Sequence, residues 1–116
     1  MTNKALLNNI DHANLKVVSE YGTAHGDNTN QVLVFPTEFA AIQREYPILF
    51  CMDANSNTFQ AVALLGFDEH ENLFLEEDQW RAHYVPAVQA RGPFTIAIQK
   101  QQGSDALAPM IHIDLD

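Results

Sequence analysis

The side chains that could do chemistry in this chain gather in a few short stretches. His25-Gly26-Asp27-Asn28 sets an imidazole two residues before a carboxylate, so that His25 can act as a base and Asp27 as its orienting partner. The same residue types are also what a turn favours. His83-Tyr84 adds a second imidazole and a phenol. If His25, Asp27, His83 and Tyr84 converge in a cleft, they form the pocket of a small-ligand binder or an enzyme. Asp53-Ala54-Asn55-Ser56-Asn57 begins like a calcium-binding EF-hand loop. Thr58 then stands where the loop needs glycine, and Leu64 where it needs a bidentate glutamate, so the ligand set is incomplete. Asp68-Glu69-His70-Glu71 has metal-binding letters. Consecutive residues of a hairpin tip point in different directions, and the run reads as a solvated acidic turn. No metal site is expected. Cys51 lies within an apolar run and reads as a buried small hydrophobe rather than a nucleophile. No phosphate-cradling glycine motif, nucleophile elbow or zinc signature occurs, so no catalytic residue and no cofactor is assigned.

The elements that would hold these residues centre on Glu45–Leu75. Ile48–Met52, Thr58–Phe67 and Leu73–Leu75 are apolar runs separated by two polar turns, which predicts an antiparallel meander. Thr58–Phe67 is apolar at both parities and is expected to be the central strand, covered on both faces. Ala5–Asn9 and Asn14–Ser19 are short strand candidates, and Gln31–Phe35 is another. Thr37 is placed to cap a helix carrying Phe39, Ile42 and Tyr46 on one face, with Glu38 at its positive end. Pro47 stops that helix. Trp80, Tyr84 and Val88 recur at helical spacing, but Pro86 interrupts. A turn or kinked helix is expected over Gln79–Tyr84, then a short helix over Pro86–Arg91 closed by Gly92. Trp80 is read as core. Phe94–Lys100 alternates with Phe94, Ile96 and Ile98 inward. In Pro109–Leu115, Ile111, Ile113 and Leu115 share one face, and Met110, His112 and Asp114 the other. The fold class is therefore α+β: one domain over residues 1–116, mainly antiparallel sheet, with two or three short helices.

A chain of 116 residues buries a real core, and 47% hydrophobic residues exclude a disordered tail. Six basic against fifteen acidic residues leave a net charge of −9, which opposes binding to nucleic acid and to anionic lipid. A single cysteine excludes an internal disulfide. Met1-Thr2-Asn3-Lys4 leads into a short apolar pair rather than a signal-peptide core, and no run approaches membrane-spanning length. The expectation is a cytoplasmic protein with no membrane insertion.

Several strings resemble one family of bacterial proteins. Tyr21-Gly22 with Gly26-Asp27-Asn28, Val34–Phe39, Glu45–Phe50, Gln60–Phe67, Glu71–Leu75 and Tyr84-Val85-Pro86-Ala87 look like the SapC family. The resemblance covers nearly the whole chain. It implies that the chain corresponds to the N-terminal half of longer family members, which continue past Ile113-Asp114-Leu115-Asp116. It implies no catalytic residue. It does imply an association with bacterial surface layers, and gene company that includes flavin-dependent halogenase-like proteins and outer-membrane receptors. The reading is a non-catalytic accessory or interaction protein, with surface association implied by the resemblance alone. The alternative is the small-ligand binder or enzyme with its pocket near His25/Asp27 and His83/Tyr84. An alternating strand at the end of the chain also predicts self-association through that strand or the surface beside it.

Overall fold

A computed structural model describes residues 3–116; Met1 and Thr2, at the head of the segment read above for a leader, lie outside the described residues. The structure bears out α+β with mainly antiparallel pairing. Its strands belong to three separate sheets, and the chain divides into two compact units. One is Ser19–Ala90; the other comprises the chain ends, as far as Val18 and from Arg91 on.

Within Ser19–Ala90, β2 (Gln31–Leu33), β3 (Ile48–Asp53) and β4 (Thr58–Leu64) form a sheet in the order β2-β4-β3. β4 is central, as expected. The third strand is β2, however, not Leu73–Leu75. After Gly66 the chain turns through Asp68–Asn72, and Leu75–Glu76 becomes β5, paired only with β6 (Gln79–Trp80). Glu77 and Asp78 between them both have positive φ, 48° and 59°. This is the signature of a tight two-residue hairpin turn; β6 takes the start of the span where a turn or kinked helix was expected, Gln79–Tyr84, and Ala82–Tyr84 bend without forming a helix.

β4 is covered on both faces only at its C-terminal end. Val62 and Ala63 are buried, whereas Phe59 is 72% exposed. The outer part of the β3–β4 hairpin runs past the core, so Cys51 is exposed rather than buried. Its turn is as expected: Asp53 accepts hydrogen bonds from the Asn55 N–H and the Ser56 hydroxyl. The core itself consists of Val32, Val34, Ile42, Tyr46, Ala63 and Leu65. Helix α1 (Phe39–Ile42) presents the expected stripe, with Ile42 and Tyr46 buried and Phe39 packed beside them. Its entry is not capped by Thr37. A 3-10 turn, Pro36–Glu38, comes first, and the Glu38 carboxylate accepts the Phe35 N–H. Helix α2 (Ala87–Ala90) matches the short helix expected after Pro86. Trp80, Tyr84 and Val88 still pack on the core, though not from one helix face.

In the other unit, β1 (Lys4–Leu6), β7 (Phe94–Lys100) and β8 (Leu107–Asp114) form an antiparallel sheet in the order β1-β8-β7. Gly92, at φ 61°, precedes β7. Asn14–Ser19 is not a strand. β1 ends at Leu6 because the Asn8 side chain accepts the N–H groups of Ile10 and Asp11 and starts a turn. Ile96 and Ile98 do not face inward; they are 74% and 71% exposed. On their face only Ile113, at the far end, is fully buried, while His112 on the opposite face is also buried. Among the described residues no helix is long and apolar enough to cross a membrane.

Candidate functional site

The polar side chains of the Ser19–Ala90 unit converge where Pro36–Tyr46 meets His83–Ala87. Helical spacing and the Pro36 turn set Glu38, Glu45 and Tyr46 toward that segment. The Glu45 carboxylate accepts three hydrogen bonds: from the His83 N–H at 2.9 Å, the His83 ring Nδ1 at 2.9 Å and the Tyr84 N–H at 3.0 Å. These bonds, led by the one from the His83 backbone, hold its pKa down at about 2. Glu38 accepts the Tyr84 hydroxyl at 3.1 Å and the Ala87 N–H at 3.0 Å. Tyr46 receives the Trp80 indole N–H at 2.7 Å and donates its own hydroxyl to the Tyr84 carbonyl at 2.6 Å. Burial pushes the Tyr46 pKa up to about 12, so its hydroxyl stays a neutral donor. The Tyr84 phenol is also pushed up, first by desolvation and then by its bond to Glu38. Two carboxylates and a phenol thus clamp an irregular strap to the core.

Beside the clamp lies a hollow of about 480 Å³ lined by Ala41, Arg44, Glu45, His83 and Tyr84. Glu45 fixes one ring nitrogen of His83 and leaves the other facing outward, an arrangement that suits an imidazole base or ligand. The His83 side chain is fully exposed, and the Tyr84 hydroxyl is already committed to Glu38. Among the described residues that line the hollow there is no serine, threonine or cysteine, and the imidazole stands open to solvent.

A family model described as SapC matches residues 7–116. The chain belongs to the SapC family. No curated protein and no solved structure matches it. The strings that carry the SapC resemblance meet in this clamp: Glu38 lies in Val34–Phe39, Glu45 and Tyr46 begin Glu45–Phe50, and Tyr84–Ala87 is the strap.

Of the four residues singled out in the SapC sequence, the structure brings His83 and Tyr84 together at the hollow; His25 and Asp27 are not among its walls. No hydrogen bond links His25 to Asp27. Asp27 is buried, and its carboxylate accepts the Gly22 N–H at 2.8 Å while its carbonyl accepts the Asn72 side chain. Desolvation raises its pKa, opposed by the Gly22 bond. It orients a loop, not an imidazole. Sequence reasoning missed Glu45 and Glu38 as the partners of this strap. The one available signal was Glu45 standing directly before the buried Tyr46, which places it at the edge of the core rather than in open solvent. At the Asp68–Asn72 turn, the Glu71 carboxylate is taken up by the N–H groups of Phe67 and Asp68.

Proposed function

We propose that this SapC protein is a non-catalytic accessory protein that works by contact with another protein, in a surface-layer or outer-membrane pathway or beside a flavin-dependent halogenase-like enzyme. The observation that carries the reading is the outer half of the β3–β4 hairpin. By register, Phe50 and Met52 share a face with Ala61 and Phe59. Phe50, Met52 and Phe59 are 66%, 60% and 72% exposed. Contiguous apolar surface of this kind marks protein contact sites. A further support is that Glu38, Glu45 and the Tyr46 hydroxyl are each tied to backbone groups of the strap. The test is a pull-down from the native host with the full-length protein, run beside its Phe50→Lys and Phe59→Lys variants. A specific partner lost with either variant is the expected result; partners retained by both would refute the reading.

The second reading, a ligand site at the hollow, rests on the Glu45–His83 pair. Ligand-observed NMR against a small-molecule library tests it, and His83→Ala must abolish any binding seen with the parent chain.

A further inference from the structure

The β3–β4 hairpin also carries an unpaired strand edge, and its geometry says what fits there. Leu64 donates to the Pro47 carbonyl, which sets the alternation along the β3–β4 ladder. Leu49, Cys51 and Asp53 consequently direct their backbone groups to β4, and Ile48, Phe50 and Met52 direct theirs to the open side. β4 is satisfied on its other side by β2, with Val34 N–H on Ala61 and Leu65 N–H on Asn30. Another extended strand would complete the row left open along β3.

We propose that the occupant is β3 of a second copy, in antiparallel pairing about a two-fold axis near Phe50 and Cys51. This rests on the reading of the hairpin as a contact surface and names one partner for it. Charge permits a second copy here and not over most of the surface. The molecule carries a net −9, so most surfaces repel their own image. Ile48–Met52 has no charged residue, and the two-fold sets the two Asp53 carboxylates at opposite ends of the ladder. An antiparallel edge is self-complementary, as a closed dimer requires. Phe50 would then lie against Phe50 or Met52 of the second copy, with Phe59 alongside. β7 is the other long edge strand, and Ile96 on it serves as the control position. β8 is paired with β7 along its length and with β1 over His112–Asp114, so only its Leu107–Met110 part keeps an open side, and Pro109 within it has no N–H to offer.

Taking a large side chain as roughly 200 Å², the exposed parts of Leu49, Phe50, Met52 and Phe59 offer on the order of 500 Å² per copy. That is below the roughly 800 Å² per partner of a standard interface, so the dimer is expected to be reversible and micromolar. Light scattering on the full chain, from low micromolar to submillimolar concentration, should show a monomer–dimer equilibrium. Phe50→Lys and Met52→Lys should each weaken it by roughly tenfold or more, and Ile96→Lys on β7 should leave it unchanged. Both β3 positions are exposed, and Trp80 fluorescence checks that the variants fold. On the parent chain a short bis-maleimide should join Cys51 to Cys51 of the second copy in proportion to the dimer. A monomer throughout, a dimer indifferent to both β3 variants, or one dissolved by Ile96→Lys overturns the inference. Loss of a host partner in Phe50→Lys from a chain that stays monomeric would sink self-pairing and leave the accessory role standing.

Discussion

Tyr46 joins more of the Ser19–Ala90 core than any apolar side chain could. Its ring packs on Phe74 at 4.4 Å between centroids, and its hydroxyl accepts from Trp80 and donates to the Tyr84 carbonyl. Tyr46→Phe keeps the ring and removes both bonds, leaving an indole N–H and a carbonyl without their partner. Unfolding by denaturant should show a loss of about 1–3 kcal/mol, the usual cost of stranding such groups; a change indistinguishable from zero would mean that water replaces the hydroxyl. Glu45 makes a prediction in pH. Its folded pKa of about 2 lies below the ordinary 4.5. A depressed carboxylate contributes stability that is complete above the ordinary value and is lost as pH falls toward the folded one. The parent's melting temperature should therefore fall more steeply than that of Glu45→Gln between pH 4.5 and 2. Parallel curves would show that the His83 and Tyr84 bonds do not lower the Glu45 pKa on folding. Asp27 works in the opposite sense, since burial raises its pKa and favours its protonated form.

At the scale of elements, the position after β4 at Gly66 must be glycine for a steric reason. It is buried, and a Cβ there would run into the Glu71 carbonyl of the following turn. Backbone against backbone has little room to give. Gly66→Ala should cost about 1–3 kcal/mol, as overpacking does, and should loosen the Asp68–Asn72 turn; amide exchange at Leu73, which donates to the Leu65 carbonyl, would report it. Unchanged protection there would argue that the turn absorbs the methyl. The same turn explains where the sequence was legible and where it was not. Period and turn chemistry placed β3, β4, β7 and α2, because each has a local pattern and a local stop. They did not place β2 beside β4, since which strand completes a sheet depends on a long-range register, Gln31 against Leu64 and Leu33 against Val62. Nor could alternation say which face is covered. Phe94–Lys100 alternates cleanly, yet Ile96 and Ile98 lie in the open. The clamp was half legible: His83 and Tyr84 stood out by residue type, while Glu38 and Glu45 looked like ordinary helix surface. Their role depends on a strap some forty residues further on, brought back by the hairpin of β5 and β6.

On the scale of the whole molecule, the chain is organised as one continuous segment and one unit drawn from its two ends. Every residue of the core cluster, and every partner of Glu38, Glu45 and Tyr46, lies between Ser19 and Ala90. β2, β3 and β4 find all their strand partners there as well. That segment therefore holds what a fold needs, apart from size: chains this short bury only about 60% of their surface and are marginal. The expected outcome for an isolated 19–90 fragment is cooperative unfolding with a denaturant midpoint below that of the full chain. The chain's one tryptophan, Trp80, sits in this segment and bonds to Tyr46, so its fluorescence reports this unit's packing directly. A fragment whose Trp80 emission is already that of a solvated indole in buffer, with no transition on adding urea, would show that Ser19–Ala90 needs the chain ends to fold.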